Sequence, residues 1–113
     1  MLLTAYDIEC LQAARKLIDE NTRQHHSIAE IAHSVGMGAT RLKAGFKQHY
    51  GFGLYAYLRE QRMLLAVALL QDRHKTIKAI AKETGFVYVT NFSAAFKRRY
   101  GMTAGKYRKT KFK

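Results

Sequence analysis

The chain has 113 residues, enough for one modest domain or two very small ones sharing a core. Its 20 Lys and Arg against 8 Asp and Glu give a net charge of +12, which favours a polyanionic partner, and 48% apolar content supports a packed interior. The few scattered acids offer no nucleophile–base pair or phosphate loop, which argues against an enzyme. No apolar run approaches the roughly 20 residues of a membrane span.

In chain order, residues 6–22 are predicted as a first helix. Ile8, Leu11, Ala14 or Arg15, and Ile18 recur at spacings of three and four, with Leu17 beside them. Cys10, the only cysteine, excludes an internal disulfide, suits a reducing cytoplasm, and is expected to pack beside Leu11 and Ala14. Gln24-His25-His26 reads as a short linker. Ser27 and Glu30 form a capping box for a helix that runs to about Val35. Gly36-Met37-Gly38 is a turn, with Gly36 in the left-handed conformation that ends a helix. The next helix covers 39–50 and stops at Gly51. Residues 54–71 form one longer helix of about 27 Å. Its expected apolar stripe is Leu54, Leu58, Leu65, Ala66 and Leu69, with Tyr57 and Leu70 at the edges. After the polar break 72–75, Thr76 caps a helix that ends at Gly85. Helices at 89–100 and 104–108 follow, and 109–113 reads as a frayed basic tail. The absence of proline fits this all-α reading.

Two of these segments repeat. Ser27-Ile28 answers Thr76-Ile77, Ile31-Ala32 answers Ile80-Ala81, and Gly36 answers Gly85, all at an offset of 49. One extra residue then enters the second copy. At an offset of 50, Thr40 pairs with Thr90, Leu42 with Phe92, Ala44 with Ala94, Phe46-Lys47 with Phe96-Lys97, Tyr50-Gly51 with Tyr100-Gly101, and Tyr57 with Tyr107. A slip of one residue between a Gly and the next helix marks a turn. Each copy therefore reads helix, Gly turn, helix, the pattern of a helix-turn-helix. The organisation that follows is an N-terminal helix on the first subdomain (1–26), a first helix-turn-helix (27–53), a linker helix (54–71), a second helix-turn-helix (72–108) and the basic tail.

The second helix of each copy has a definable outward face. Leu42 and Phe46 lie about 40° apart and must face the core; Lys47, Thr40 and Ala44 then fall at about 140°, 160° and 200°. Phe92 and Phe96 anchor the second copy, and Lys97, Thr90 and Ala94 fall at the same angles. Lys43 and Ser93 flank the two rows, and Arg41 and Asn91 lie on the other flank. Short side chains let a helix sit deep in a groove, hydroxyls bond base edges, and Ala can touch a thymine methyl. Thr40, Lys43, Ala44, Thr90, Asn91, Ser93 and Ala94 are thus the candidate base readers. Lys47, Lys97 and Arg98 are candidate phosphate contacts, with Arg41 beside them. The amides capped around Ser27 and Thr76 are candidate phosphate sites as well. Charge agrees: residues 27–113 hold 17 bases and four acids, whereas 1–26 hold three bases and four acids.

These residues resemble the DNA-binding domain of AraC/XylS-type bacterial transcription regulators. The likeness covers about 27–108 and is most specific in the second half, GF…NFSAAFKRRYGMT…YR. It implies about seven helices, two helix-turn-helix subdomains joined by the central helix, and reading helices in successive major grooves of double-stranded DNA. It adds Arg62 as an expected structural or phosphate contact, Arg108 as a candidate phosphate contact, and RNA polymerase as a partner. The protein is expected to be cytoplasmic and nucleoid-associated and to require no cofactor or metal. Two alternatives exist for the chain itself: the C-terminal portion of a longer regulator with an N-terminal effector or dimerisation domain, or a stand-alone activator. The pattern departs from the family where Ala104 replaces a common Pro, where Tyr88 replaces a polar cap, and where Gly38 takes the equivalent cap position.

A non-specific basic RNA-binding protein is the competing class. RNA readers display aromatic platforms, whereas Phe46, Phe92 and Phe96 are at core angles. Membrane-surface binding needs a free apolar helix face, and these faces are required to close the core.

Overall fold

A computed structural model describes residues 1–22 and 27–112; the expected linker at 24–26 lies outside them. The described residues form seven helices and no strand: α1 (Ala5–Glu20), α2 (Ile28–Val35), α3 (Ala39–Tyr50), α4 (Leu54–Leu70), α5 (Ile77–Glu83), α6 (Val89–Tyr100) and α7 (Ala104–Lys111). They divide into two compact units. The first holds α1, α2, α3 and α4 up to Arg59, and the second takes over at Glu60.

In the first unit α1 begins one residue before the sequence reading, because Thr4 caps it. The Thr4 hydroxyl accepts the Asp7 amide at 3.0 Å, and the Asp7 carboxylate accepts the Thr4 amide at 2.9 Å, a complete capping box. Leu11, Ala14 and Ile18 are fully buried, and Cys10 is buried beside them. Ser27 starts α2 by accepting the Glu30 amide at 3.1 Å, while its own hydroxyl donates to the Glu30 carboxylate at 3.1 Å. Gly36 ends α2 at φ +76°, a conformation that costs an L side chain dearly. The Tyr6 hydroxyl donates to the Gly36 carbonyl at 2.9 Å and would lie 2.8 Å from any Cβ placed there. Gly45, inside α3, is buried for a related reason: its bare Cα lets Leu3 and Leu11 close on the helix, and a Cβ would sit 3.3 Å from Leu3 Cδ2.

The second unit repeats the device with different residues. Thr76 accepts the Ala79 amide at 3.0 Å to start α5. The buried Thr84 hydroxyl donates back to the carbonyls of Ile80 (2.8 Å) and Ala81 (3.0 Å), which satisfies it without a core partner. Gly85 then turns the chain at φ +86°. Thr103 caps α7 by accepting the Lys106 amide at 3.2 Å, and Ala104 is buried, so the last helix starts firmly without a proline. That helix runs to Lys111, beyond the 108 expected, and Phe112 packs against the core of its unit.

The stripe on α4 differs from the sequence expectation. Leu54, Tyr57 and Leu58 enter the first core, and Met63, Ala66 and Leu70 enter the second, while Leu65 and Leu69 are only half-buried. The buried residues of α4 thus divide between two cores, and the single stripe expected over 54–71 does not form.

Both cores are built on the same aromatic triad. Phe46 lies 4.7 Å from Tyr50 and 5.8 Å from Tyr57 between ring centroids; Phe96 lies 4.7 Å from Tyr100 and 5.4 Å from Tyr107. A guanidinium covers each set: Arg15 is 4.9 Å from the Tyr50 ring and 5.0 Å from Tyr57, and Arg99 is 4.7 Å from Tyr100. Phe46 and Phe96 are both fully buried. Phe46→Ala and Phe96→Ala should each cost about 3–5 kcal/mol. Urea unfolding followed by far-UV circular dichroism checks this, and a loss below about 1 kcal/mol at either site would contradict the packing.

Candidate nucleic-acid interface

The outward rows drawn from helical angles are outward in the structure. Leu42, Phe46, Phe92 and Phe96 are fully buried, which fixes the rotation of α3 and α6. On the opposite sides Thr40, Lys43, Ala44 and Lys47 are exposed along α3. Thr90, Asn91, Ser93, Ala94, Lys97 and Arg98 are exposed along α6. Each helix therefore offers a row of Thr, Ala and Lys, narrow at its centre and positive at its far end. Neither has a side-chain cap: Gly38 and Tyr88 stand at the N-cap positions without a cap hydrogen bond.

Three of the expected phosphate donors are engaged within the protein. Arg41 turns back onto α1, where its Nε donates to Asp7 Oδ1 at 3.0 Å, its Nη2 pairs with Asp7 Oδ2, and Nη2 also donates to the Leu2 carbonyl at 3.0 Å. This bidentate pair with a buried carboxylate holds Arg41 for α1. Arg62 is buried in the second unit with its guanidinium 5.6 Å from the Phe86 ring centroid, and burial lowers its pKa. Arg108 closes the end of α4. Its Nε donates to the Leu70 carbonyl at 3.0 Å, and its Nη2 to those of Asp72 at 3.2 Å and Lys75 at 2.8 Å. Such a group satisfies carbonyls that a helix end leaves bare. Ser27 and Thr76 are placed as cap residues at the starts of α2 and α5.

His49 is exposed, with its ring edge-on to Tyr50 at 4.7 Å. Among the described residues no group of three His, Cys, Asp or Glu side chains is arranged to hold a metal ion, and no helix is long and apolar enough to cross a membrane.

Sequence reasoning missed one surface feature. Val87, Tyr88 and Val89, at the turn into α6, are 70%, 65% and 38% exposed. The signal was present as the extra residue in the second copy, which falls in this turn.

Known proteins share this architecture. Residues 31–110 match the family described as helix-turn-helix domain. The virulence regulon transcriptional activator VirF of Yersinia enterocolitica is 35% identical over 97 residues, which cover 86% of this chain and 36% of VirF. The chain thus spans little more than a third of that relative's length. Among solved structures, the C-terminal domain of AraT, a response regulator from Geobacillus stearothermophilus, superposes with a TM-score of 0.88 at 25% identity, covering 100% of this chain and 91% of that one. A transcriptional regulator of the AraC-type DNA-binding class from Chromobacterium violaceum gives 0.78 at 29% identity, over 95% of this chain and 96% of that one.

The Arg41–Asp7 pair carries a pH dependence. The Arg41 guanidinium, with the Thr4 amide, holds the Asp7 carboxyl well below the usual carboxylate range. A depressed folded-state pKa stabilises the fold above the unfolded value, about 3.9, and that stabilisation is lost as pH falls towards the folded-state value. Asp7→Asn should therefore lower the melting temperature at pH 7, with the gap to the parent protein closing below about pH 4. Thermal melts across pH 2–7 test this; a gap of constant size at all pH values would exclude the pair as its source.

Proposed function

This chain belongs to the AraC-type helix-turn-helix family, and from that premise we propose that it binds double-stranded DNA in a sequence-dependent way and regulates transcription. Each unit places one helix, α3 or α6, in a major groove, and the 17-residue α4 joins them. The observation that carries this reading is the repeated exposed row, Thr40-Ala44-Lys47 on α3 and Thr90-Ala94-Lys97 on α6, opposite fully buried anchors. Thr40, Ala44, Thr90 and Ala94 meet base edges, with Lys43, Asn91 and Ser93 beside them. Lys47, Lys97 and Arg98 grip phosphates, and the capped starts of α2 and α5 approach the backbone. Arg41, Arg62 and Arg108 serve by holding the elements that carry these groups.

The same reading makes this chain the DNA-binding portion of a longer effector-responsive regulator, in keeping with its 36% share of VirF. It acts on promoter DNA in the cytoplasm, contacts RNA polymerase once bound, and needs no cofactor for that task.

Selection from random duplex DNA at physiological salt should return two sequence blocks about ten base pairs apart, one helical turn. A single block would confine base reading to one unit, and no enrichment would refute the proposal. Lys47→Ala and Lys97→Ala should each weaken binding to all sequences and reduce the slope of log affinity against log salt by about 1. An unaltered slope in either variant would remove that lysine from the phosphate contacts.

A further inference from the structure

The two units differ most at the turn into the reading helix. In the first unit Gly36, Met37 and Gly38 lead into α3; Met37 is buried and Gly38 has no side chain. In the second unit Gly85 and Phe86 are followed by the extra residue Val87, then Tyr88 and Val89. These three consecutive large side chains are 70%, 65% and 38% exposed. They form one wall of an open groove of about 820 Å³ whose other wall is α5, with Lys78 and Lys82 along it. Every residue lining this groove is apolar, a threonine, a glycine or a lysine; none is acidic. The positions that answer Lys78, Ala79 and Lys82 in the first unit are Ala29, Glu30 and His33, so the basic, acid-free edge is special to the second.

We propose that Val87, Tyr88 and Val89 form an apolar reading wedge for thymine C5-methyl groups in the major groove, with Lys78 and Lys82 holding the adjacent phosphates. The proposal rests on the DNA-binding reading and adds the base chemistry that one of its two units prefers. The position fits the task. Val89 is the first residue of α6 and Thr90, the first expected base reader, follows it directly; the N-terminal residues of a recognition helix are those that reach base edges. The chemistry fits too. The thymine methyl is the one apolar group that base pairs present in the major groove, and it is flanked by phosphates. An apolar patch edged only by lysines complements that pair of surfaces, whereas exposure to water leaves it unfavourably solvated. The first unit, with Gly38 and Ala39 at the same place, presents no such bulk.

The test uses the full chain and duplexes carrying a sequence recovered from random DNA. Thymines in the block read by α6 are replaced by deoxyuridine, which removes only the methyl. Affinity should fall roughly fourfold per contacted methyl, and replacements in the other block should have a smaller effect. A Val87→Ala, Tyr88→Ser double variant, checked for parental helix content, should lose this sensitivity. If the parent protein binds the selected DNA but ignores methyl removal in that block, the wedge is overturned while two-unit DNA reading stands. Full methyl sensitivity in the double variant overturns it equally. Loss of reporter activation by that variant without any change in DNA affinity would assign the patch to a protein partner and also overturn the proposal. Absence of any sequence-preferring binding by the parent chain removes both readings together.

Discussion

A helix can present only one face to a ligand, and which face it presents is decided by what it buries. In this protein two side chains one turn apart settle the matter in each unit: Leu42 and Phe46 in α3, Phe92 and Phe96 in α6. Rotating either helix by one residue would withdraw an aromatic ring from its triad with two tyrosines and bring a lysine towards the core, a cost of several kcal/mol. The outward row of Thr, Ala and Lys is therefore a by-product of hydrophobic burial. Its rigidity also comes from there, since none of the row's own members is held by a hydrogen bond in the cap.

Around that constraint the two units use different supports. The first leans on α1, which reaches the reading helix through Asp7 to Arg41 and through Leu3 and Leu11 against Gly45, and reaches the turn through Tyr6. The second has Ala95 where the first has Gly45, and it packs its reading helix against α7. Arg99 on α6 adds an ion pair with Glu60 on α4, its Nε shared between the two carboxylate oxygens at 3.0 and 2.8 Å. Both solutions keep a short-residue centre facing outward. They also leave each reading helix with one arginine paired to an acid, Arg41 with Asp7 and Arg99 with Glu60.

Much of this was legible in the residues, because internal repetition makes periodicity self-checking. The anchors, the exposed rows, the Gly turns and the boundaries of α2, α3 and α6 all follow from a pattern that appears twice. What stayed hidden depends on residues far apart in the chain. Nothing local in Arg41 marks it as the partner of Asp7, 34 positions away. Arg108 likewise reads as a phosphate contact until its three carbonyl acceptors are seen. Met63 was missed because the stripe on α4 was read as continuous, whereas its buried residues divide between two cores. Thr4 was passed over because its cap bond precedes the apolar period that signals the helix.

The Arg108 contacts bear on where the chain can be shortened. Residues 109–113 look expendable as a charged end, and removing charge is what trimming them would be meant to do. Yet Arg73 donates to the carbonyl of Phe112 at 3.1 Å, and Arg108 closes three carbonyls at the far end of α4 and in the segment after it. The last helix and the 70–75 segment are thus buttoned to each other from both sides. A protein cut before Arg108 would lose its C-terminal cations and, with them, the fastening that finishes the central helix, so such a truncation confounds electrostatics with architecture. Neutralising Lys106, Lys109 and Lys111 in place, with Arg108 and Phe112 kept, separates the two.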